Sequence, residues 1–247
     1  MIRFGLLVTA FALLRPEIAE ACSCLGNVPS SIATQDAEIV FVGTVARIDR
    51  TPPISHSRQN PDGSVTVTVE YVSAALVIFD VAHVFKGPSS PQIAVRQDGS
   101  SCDLPFNEGE TWLIYGRDEI GGVAAGKCLR TRLASEAEQD LLYLGNREAG
   151  LPQGIVYGDV SRRLNGPGGL RNSALFEALQ VTAVSAIHRF VTTTDRWGPF
   201  ELVLPPGDYE MWVERAGTSV SARFAVHVVQ GADVRLQLIA QYSDPEK

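Results

Sequence analysis

Four cysteines, at positions 22, 24, 102 and 128, constrain this chain more than any other feature. All lie within residues 22–128, and two are separated by a single residue. In an exported chain disulfides persist, so two bridges are expected. Four cysteines allow three pairings. Cys22 with Cys24 would close a small, strained ring; either remaining pairing ties the start of the chain to two later strands. Each such link closes a long loop, worth on the order of 4 kcal/mol in the chain-entropy account. A zinc site built from the same four residues is the rival, but the usual C-x2-C spacing is missing.

Export is itself readable upstream of Cys22. Met1 to Arg3 is a positive start, Phe4 to Leu14 an apolar run of eleven residues, and Ala19-Glu20-Ala21 a small-x-small site, the layout of a secretory signal peptide. Eleven residues fall short of the ~20 that a bilayer requires. Residues 1–21 are therefore expected to be removed, leaving Cys22 first in a mature chain with no transmembrane span, either secreted to the cell exterior or periplasmic. The alternative is a lipid anchor on Cys22. Ala19 in place of Leu three positions earlier, and Glu20, suit that signal poorly.

The formal net charge is −7. No basic stripe exists to neutralise phosphates, which excludes a nucleic-acid partner.

Turn residues and hydrophobic alternation divide the remainder. A short helix is expected within Pro29 to Asp36, entered at Ser30 or Ser31. Glu38 to Arg50 reads as a strand with Ile39, Phe41 and Val45 on one face. Residues 50–63 read as a loop, and Ser64 to Phe85 as one long β-branched stretch. Shorter strands follow at Gln92 to Gln97, Thr111 to Tyr115 and around Gly122 to Cys128. A helix is then expected with Ser135 as N-cap, Glu138 as capping-box partner, Leu141, Leu142 and Leu144 as its apolar stripe and Gly145 as its stop. Its Glu136, Glu138 and Asp140 read as a solvated face. The connector 148–153 marks a boundary. Beyond it strands recur about every ten residues, the rhythm of a β-sandwich, with Phe200, Leu202 and Leu204 facing one way and Arg162 to Asn172 forming a surface loop.

The residues 22–147 resemble the netrin-like family, whose best-known members are the tissue inhibitors of metalloproteinases. The likeness lies in Cys22-Ser23-Cys24, EIVFVGTVARI, VIFDVAHVFKG, SSCDLPFNEGETWLIYG around Cys102 and GKCLRTRL around Cys128. It implies a five-stranded OB-type barrel with flanking helices, and bridges Cys22 to Cys102 and Cys24 to Cys128. The further disulfides of the animal inhibitors have no counterpart in this chain. Residues 154–242 resemble the carboxypeptidase-regulatory or transthyretin-like sandwich through TTDRWGPFELVLPPGDYEMWV, ahead of a tail at 243–247. The expected fold class is mainly β, a barrel followed by a small sandwich.

That resemblance implies a non-enzymatic function by protein binding. In the inhibitors, the α-amine and carbonyl of the first cysteine chelate a protease's catalytic zinc, which keeps an open coordination position. Cys22 would do so here in trans, with no cofactor of its own. Ser23 would enter the protease pocket, while Cys24, Ser100, Ser101 and Cys102 complete the contact edge. A structural or adhesive surface module is the alternative, in which the cysteines only staple the chain. No H-E-x-x-H or G-x-S-x-G motif is present. His56, His83, His188 and His227 are scattered, and Trp112 and Trp212 fall in strand patterns. Trp197 lies in a turn.

Overall fold

The computed structural model describes residues 22, 24, 28–70, 74–120, 122–166, 169–173, 178–195 and 198–241. The leader 1–21, Ser23, Trp197 and the tail 243–247 lie outside them. The described chain is mainly β, with two α-helices.

Its first half contains α1 (Ser30–Asp36), β1 (Ile39–Arg50), β2 (Ile54–Gln59), β3 (Val65–Glu70), β4 (Ala75–Lys86) and β5 (Gln92–Gln97). Then come β6 (Thr111–Glu119), β7 (Gly122–Ala124), β8 (Arg132–Leu133) and α2 (Glu138–Glu148). Pairing runs β1–β4–β5–β7–β6 and returns from β6 to β1, so these five strands close nearly into a ring. Alternation along β1 explains how. Ile39, Phe41 and Val45 face the ring's interior, whereas Val40 and Val42 face outward against Ala33, Ala137 and Leu144. Inside, Phe41, Phe79, Phe106 and Trp112 meet edge to face with centroid separations of 5.7, 5.3 and 4.7 Å, the arrangement their ring quadrupoles favour.

The second half contains β9 (Gly154–Gly166), β10 (Gly169–Ser173), β11 (Gln180–Val184), β12 (Arg189–Thr193), β13 (Pro199–Leu204) and β14 (Gly207–Arg215). It ends with β15 (Thr218–Ser219), β16 (Phe224–Val228) and β17 (Asp233–Ala240). One sheet joins β10, β9, β13 and β17; the other joins β12, β11, β14, β15 and β16. Val156, Leu202, Leu204 and Leu238 of the first share a core with Val181, Met211, Val213 and Val226 of the second. The last strand runs parallel to the first, β17 beside β9. Gly158 permits that approach, because a Cβ there would sit 1.8 Å from the carbonyl oxygen of Leu236.

Several elements depart from the sequence expectation. Residues 50–63 are not all loop: β2 pairs with β3 as a separate two-stranded ribbon, so the stretch 64–85 is not one strand. Val65, Val67 and Val69 alternate as expected of a half-buried strand, yet all three are exposed. Similarly, residues 162–166 and 169–172 pair with one another as strands, in β9 and β10. Ser135 is taken up in a 3-10 turn (Ala134–Glu136), and α2 begins after Ala137 with no side-chain cap. Gly145 does not stop that helix, since one interior glycine costs only about 1 kcal/mol; Gly150, at φ 67°, follows its end instead.

Candidate functional site

The sulfur edge is built where Cys22 and Cys24 meet the segments that carry Cys102 and Cys128. Cys22 is bridged to Cys102 and Cys24 to Cys128, each with Cα atoms 5.1 Å apart. The bridges lie side by side, with Cys22 Sγ 3.8 Å from Cys128 Sγ. Three of these sulfurs lie within 4.8 Å of one another, but all are oxidised, so none is the thiolate a zinc site requires. Two disulfides point to an oxidising, extracytoplasmic compartment. Among the described residues, no helix is long and apolar enough to cross a membrane.

The loop 98–103 is held by its own polar groups. Ser100 N–H donates to Asp98 (3.0 Å), Gly99 N–H to Asp103 (2.8 Å) and Cys102 N–H to the Ser100 hydroxyl (3.3 Å). The Ser100 hydroxyl and amide hold the Asp98 carboxyl below the usual range, whereas burial pushes that of Asp103 up. Lys127 N–H donates to the Cys102 carbonyl at 3.0 Å, stitching this loop to a 3-10 turn (Lys127–Leu129) that carries Cys128. Cys22 and Cys102 are half-buried, while Cys24, Cys128, Ser100 and Ser101 are exposed. The edge is therefore fixed from behind and open in front.

Two residues beyond Cys128 the chemistry inverts. Arg130, at φ 64°, is only 9 % exposed. Its guanidinium donates to Asp140 of α2 through Nε and Nη2, to the Val28 carbonyl through Nη1, and lies 2.8 Å from Glu201 of β13. Glu201 also accepts from the Ser30 amide (3.1 Å) and hydroxyl (2.5 Å), at the start of α1. The Tyr115 hydroxyl donates to Asp140 at 2.9 Å. Burial alone would lower the Arg130 pKa, but Asp140 and Glu201 outweigh it and hold it charged. Burial pushes the Glu201 carboxyl up, against the pull of Arg130 and Ser30. Next to this joint Val203 N–H donates to the Gln139 side chain at 2.9 Å, and Ser31 to Asp233 at 2.7 Å.

Sequence reasoning missed this joint. Asp140, expected on a solvated helix face, is 1 % exposed. In β13, Phe200, Leu202 and Leu204 face the core as expected, but Glu201 and Val203 are buried too. A charge in an otherwise apolar strand, flanked by Phe200 and Leu202, was the available signal: such a carboxylate is buried only when paired.

The other sequence candidates remain apart. His83 pairs with Glu148 and His227 with Asp208, on strands as expected but facing outward. His56 lies exposed on the ribbon and His188 is also exposed. Trp112 and Trp212 are buried.

Fold and site together define a disulfide-stapled, mainly β chain with a ring-closed sheet and further small sheets. No protein-family description matches it, and no curated protein does. Among solved structures it shows a likeness to the Bacillus anthracis TIE protein, at 10% identity and a TM-score of 0.28, covering 83% of this chain and 35% of that one. A leucine-rich repeat protein from Bacteroides thetaiotaomicron matches at 10% identity and a TM-score of 0.21, covering 85% and 26%. The chain thus spans about a third or less of either structure. At these scores neither likeness fixes the fold or bears on function.

Proposed function

We propose that this is an exported, non-enzymatic protein-binding protein, whose ring is a netrin-like, OB-type barrel and whose second half is a transthyretin-like sandwich. The contact surface is the sulfur edge, Cys22, Ser23 and Cys24 beside Ser100, Ser101 and Cys102. One observation supports it above the rest: both disulfides hold Cys22 and Cys24 beside an exposed loop. Such preorganisation lowers the ordering cost of binding.

In the sharpest form of this reading, the Cys22 α-amine and carbonyl close a five-membered chelate on the zinc of a partner metalloprotease. The amine, of pKa near 8, loses its proton readily to a metal. Intact mass of the exported protein, before and after reduction and alkylation, tests the premise: the expected chain starts at Cys22 with a free amine and no free thiol. Adding one alanine before Cys22 should then abolish inhibition. Inhibition that survives the added residue would rule the chelate out.

A structural or adhesive role is the second reading, favoured by the β2–β3 ribbon with its exposed Val65, Val67 and Val69. Adhesion should withstand the alanine extension and fail when these valines become threonine.

A further inference from the structure

A cavity of about 180 Å³ opens behind the Cys24–Cys128 bridge. Drug-sized ligands occupy pockets of roughly 300–1,000 Å³, so this one has room for a single side chain. Its charge is opposite to that of the chain. Among the described residues, Arg117, Lys127, Arg130 and Arg132 line it against one carboxylate, Asp36, in a protein of net charge −7. Arg130 is already committed to Asp140 and Glu201. Among the described residues, Arg132 engages the Arg130 carbonyl through its Nε at 3.3 Å and lies 3.9 Å from Asp140. Arg117 is exposed and has no ion pair among the described residues. The rest of the wall is largely apolar, including Ala33, Ala37 and Leu129. An apolar wall with guanidinium groups suits a methylene stem ending in a carboxylate, because Arg binds carboxylates through its planar fork of donors.

We infer that this cavity receives one carboxylate side chain, aspartate or glutamate, of the protein bound at the sulfur edge. The inference rests on the protein-binding reading, since Cys24 and Cys128 belong to both surfaces. It adds a partner chemistry: an acidic residue placed beside the segment that meets the edge.

The test does not need the partner. N-acetyl-glycyl-glutamyl-glycinamide is titrated into the isotope-labelled full-length protein, with the glutaminyl peptide as control, while amide resonances are followed. The expected result is a saturable shift at Gly116 and Leu129 with a Kd on the order of millimolar, at least about tenfold weaker for the glutaminyl peptide. Raising the salt should weaken it. Arg117→Gln and Arg132→Gln, singly and together, should weaken it further, with unchanged amide dispersion showing that the fold survives. Arg58→Gln, on the exposed ribbon, should leave it unaltered. Equal response to both peptides, no saturable shift, or binding indifferent to the Arg117 and Arg132 changes would overturn the inference. The alanine extension at Cys22 should not alter this titration, so either reading can fail while the other stands.

Discussion

The sulfur edge and the Arg130 joint lie two residues apart and hold the chain by opposite physics. The disulfides are half-buried (Cys22–Cys102) and exposed (Cys24–Cys128), and act largely by restricting the unfolded chain; their worth does not depend on excluding water. The joint is buried, and acts only if the attraction among Arg130, Asp140 and Glu201 offsets the loss of their hydration. One constraint is insensitive to its partners' surroundings. The other fails when a single member is removed. A surface that must meet another molecule can be braced by the first kind, whereas a contact between two sheet systems suits the second.

The most severe test removes Arg130. Arg130→Ala would leave Asp140 and Glu201 buried without their cation, and is expected to destabilise by about 3–5 kcal/mol, read as a fall in the urea midpoint. A loss below about 1 kcal/mol would erase the contrast with a surface ion pair. Replacing Cys24 and Cys128 together with serine should cost about 2–4 kcal/mol while leaving the buried joint intact. An unchanged chemical shift of the Ser30 amide in that variant and the parent would show the two constraints to be independent.

A gentler probe is pH. The Glu201 carboxyl is raised above its ordinary 4.5 by burial, so the native state holds its proton at pH values where the unfolded chain has released it. Its contribution is full below about 4.5 and is lost as pH rises through the raised value. Glu201→Gln should flatten this decline in unfolding free energy; an unchanged slope would place it elsewhere. The smallest effect is expected on the ribbon, where Val67→Thr should change stability by no more than about 0.5 kcal/mol, since Val67 is already 60 % exposed.

The same contrast explains how far the sequence could be read. Alternation located most strands because β1, β4 and β13 each place apolar residues on a core face. It also placed Ile39, Phe41 and Val45 together. Cysteine spacing narrowed the bridges to two pairings, and the resemblance implied the one with Cys22 to Cys102. Periodicity failed where one pattern had two causes: the valines of β3 alternate like a buried strand but face water, and Asp140 sits where a helix N-terminus welcomes any carboxylate. The joint was hard to read because Ser30, Arg130 and Glu201 are far apart along the chain, and only Glu201, a charge among apolar neighbours, stands out alone. The cavity was hidden similarly, its arginines being brought together only by the fold.

The attachments of α1 also impose an order in time. Ser30 binds Glu201, and Ser31 binds Asp233, so α1 is among the last of the described elements to gain all its partners. While the chain emerges, the ring can close as soon as β7 exists, whereas α1 must wait for β13 and then β17. Domains generally fold as units from the N-terminal end during synthesis. In this molecule the N-terminal piece keeps an unfinished surface until β17 is made.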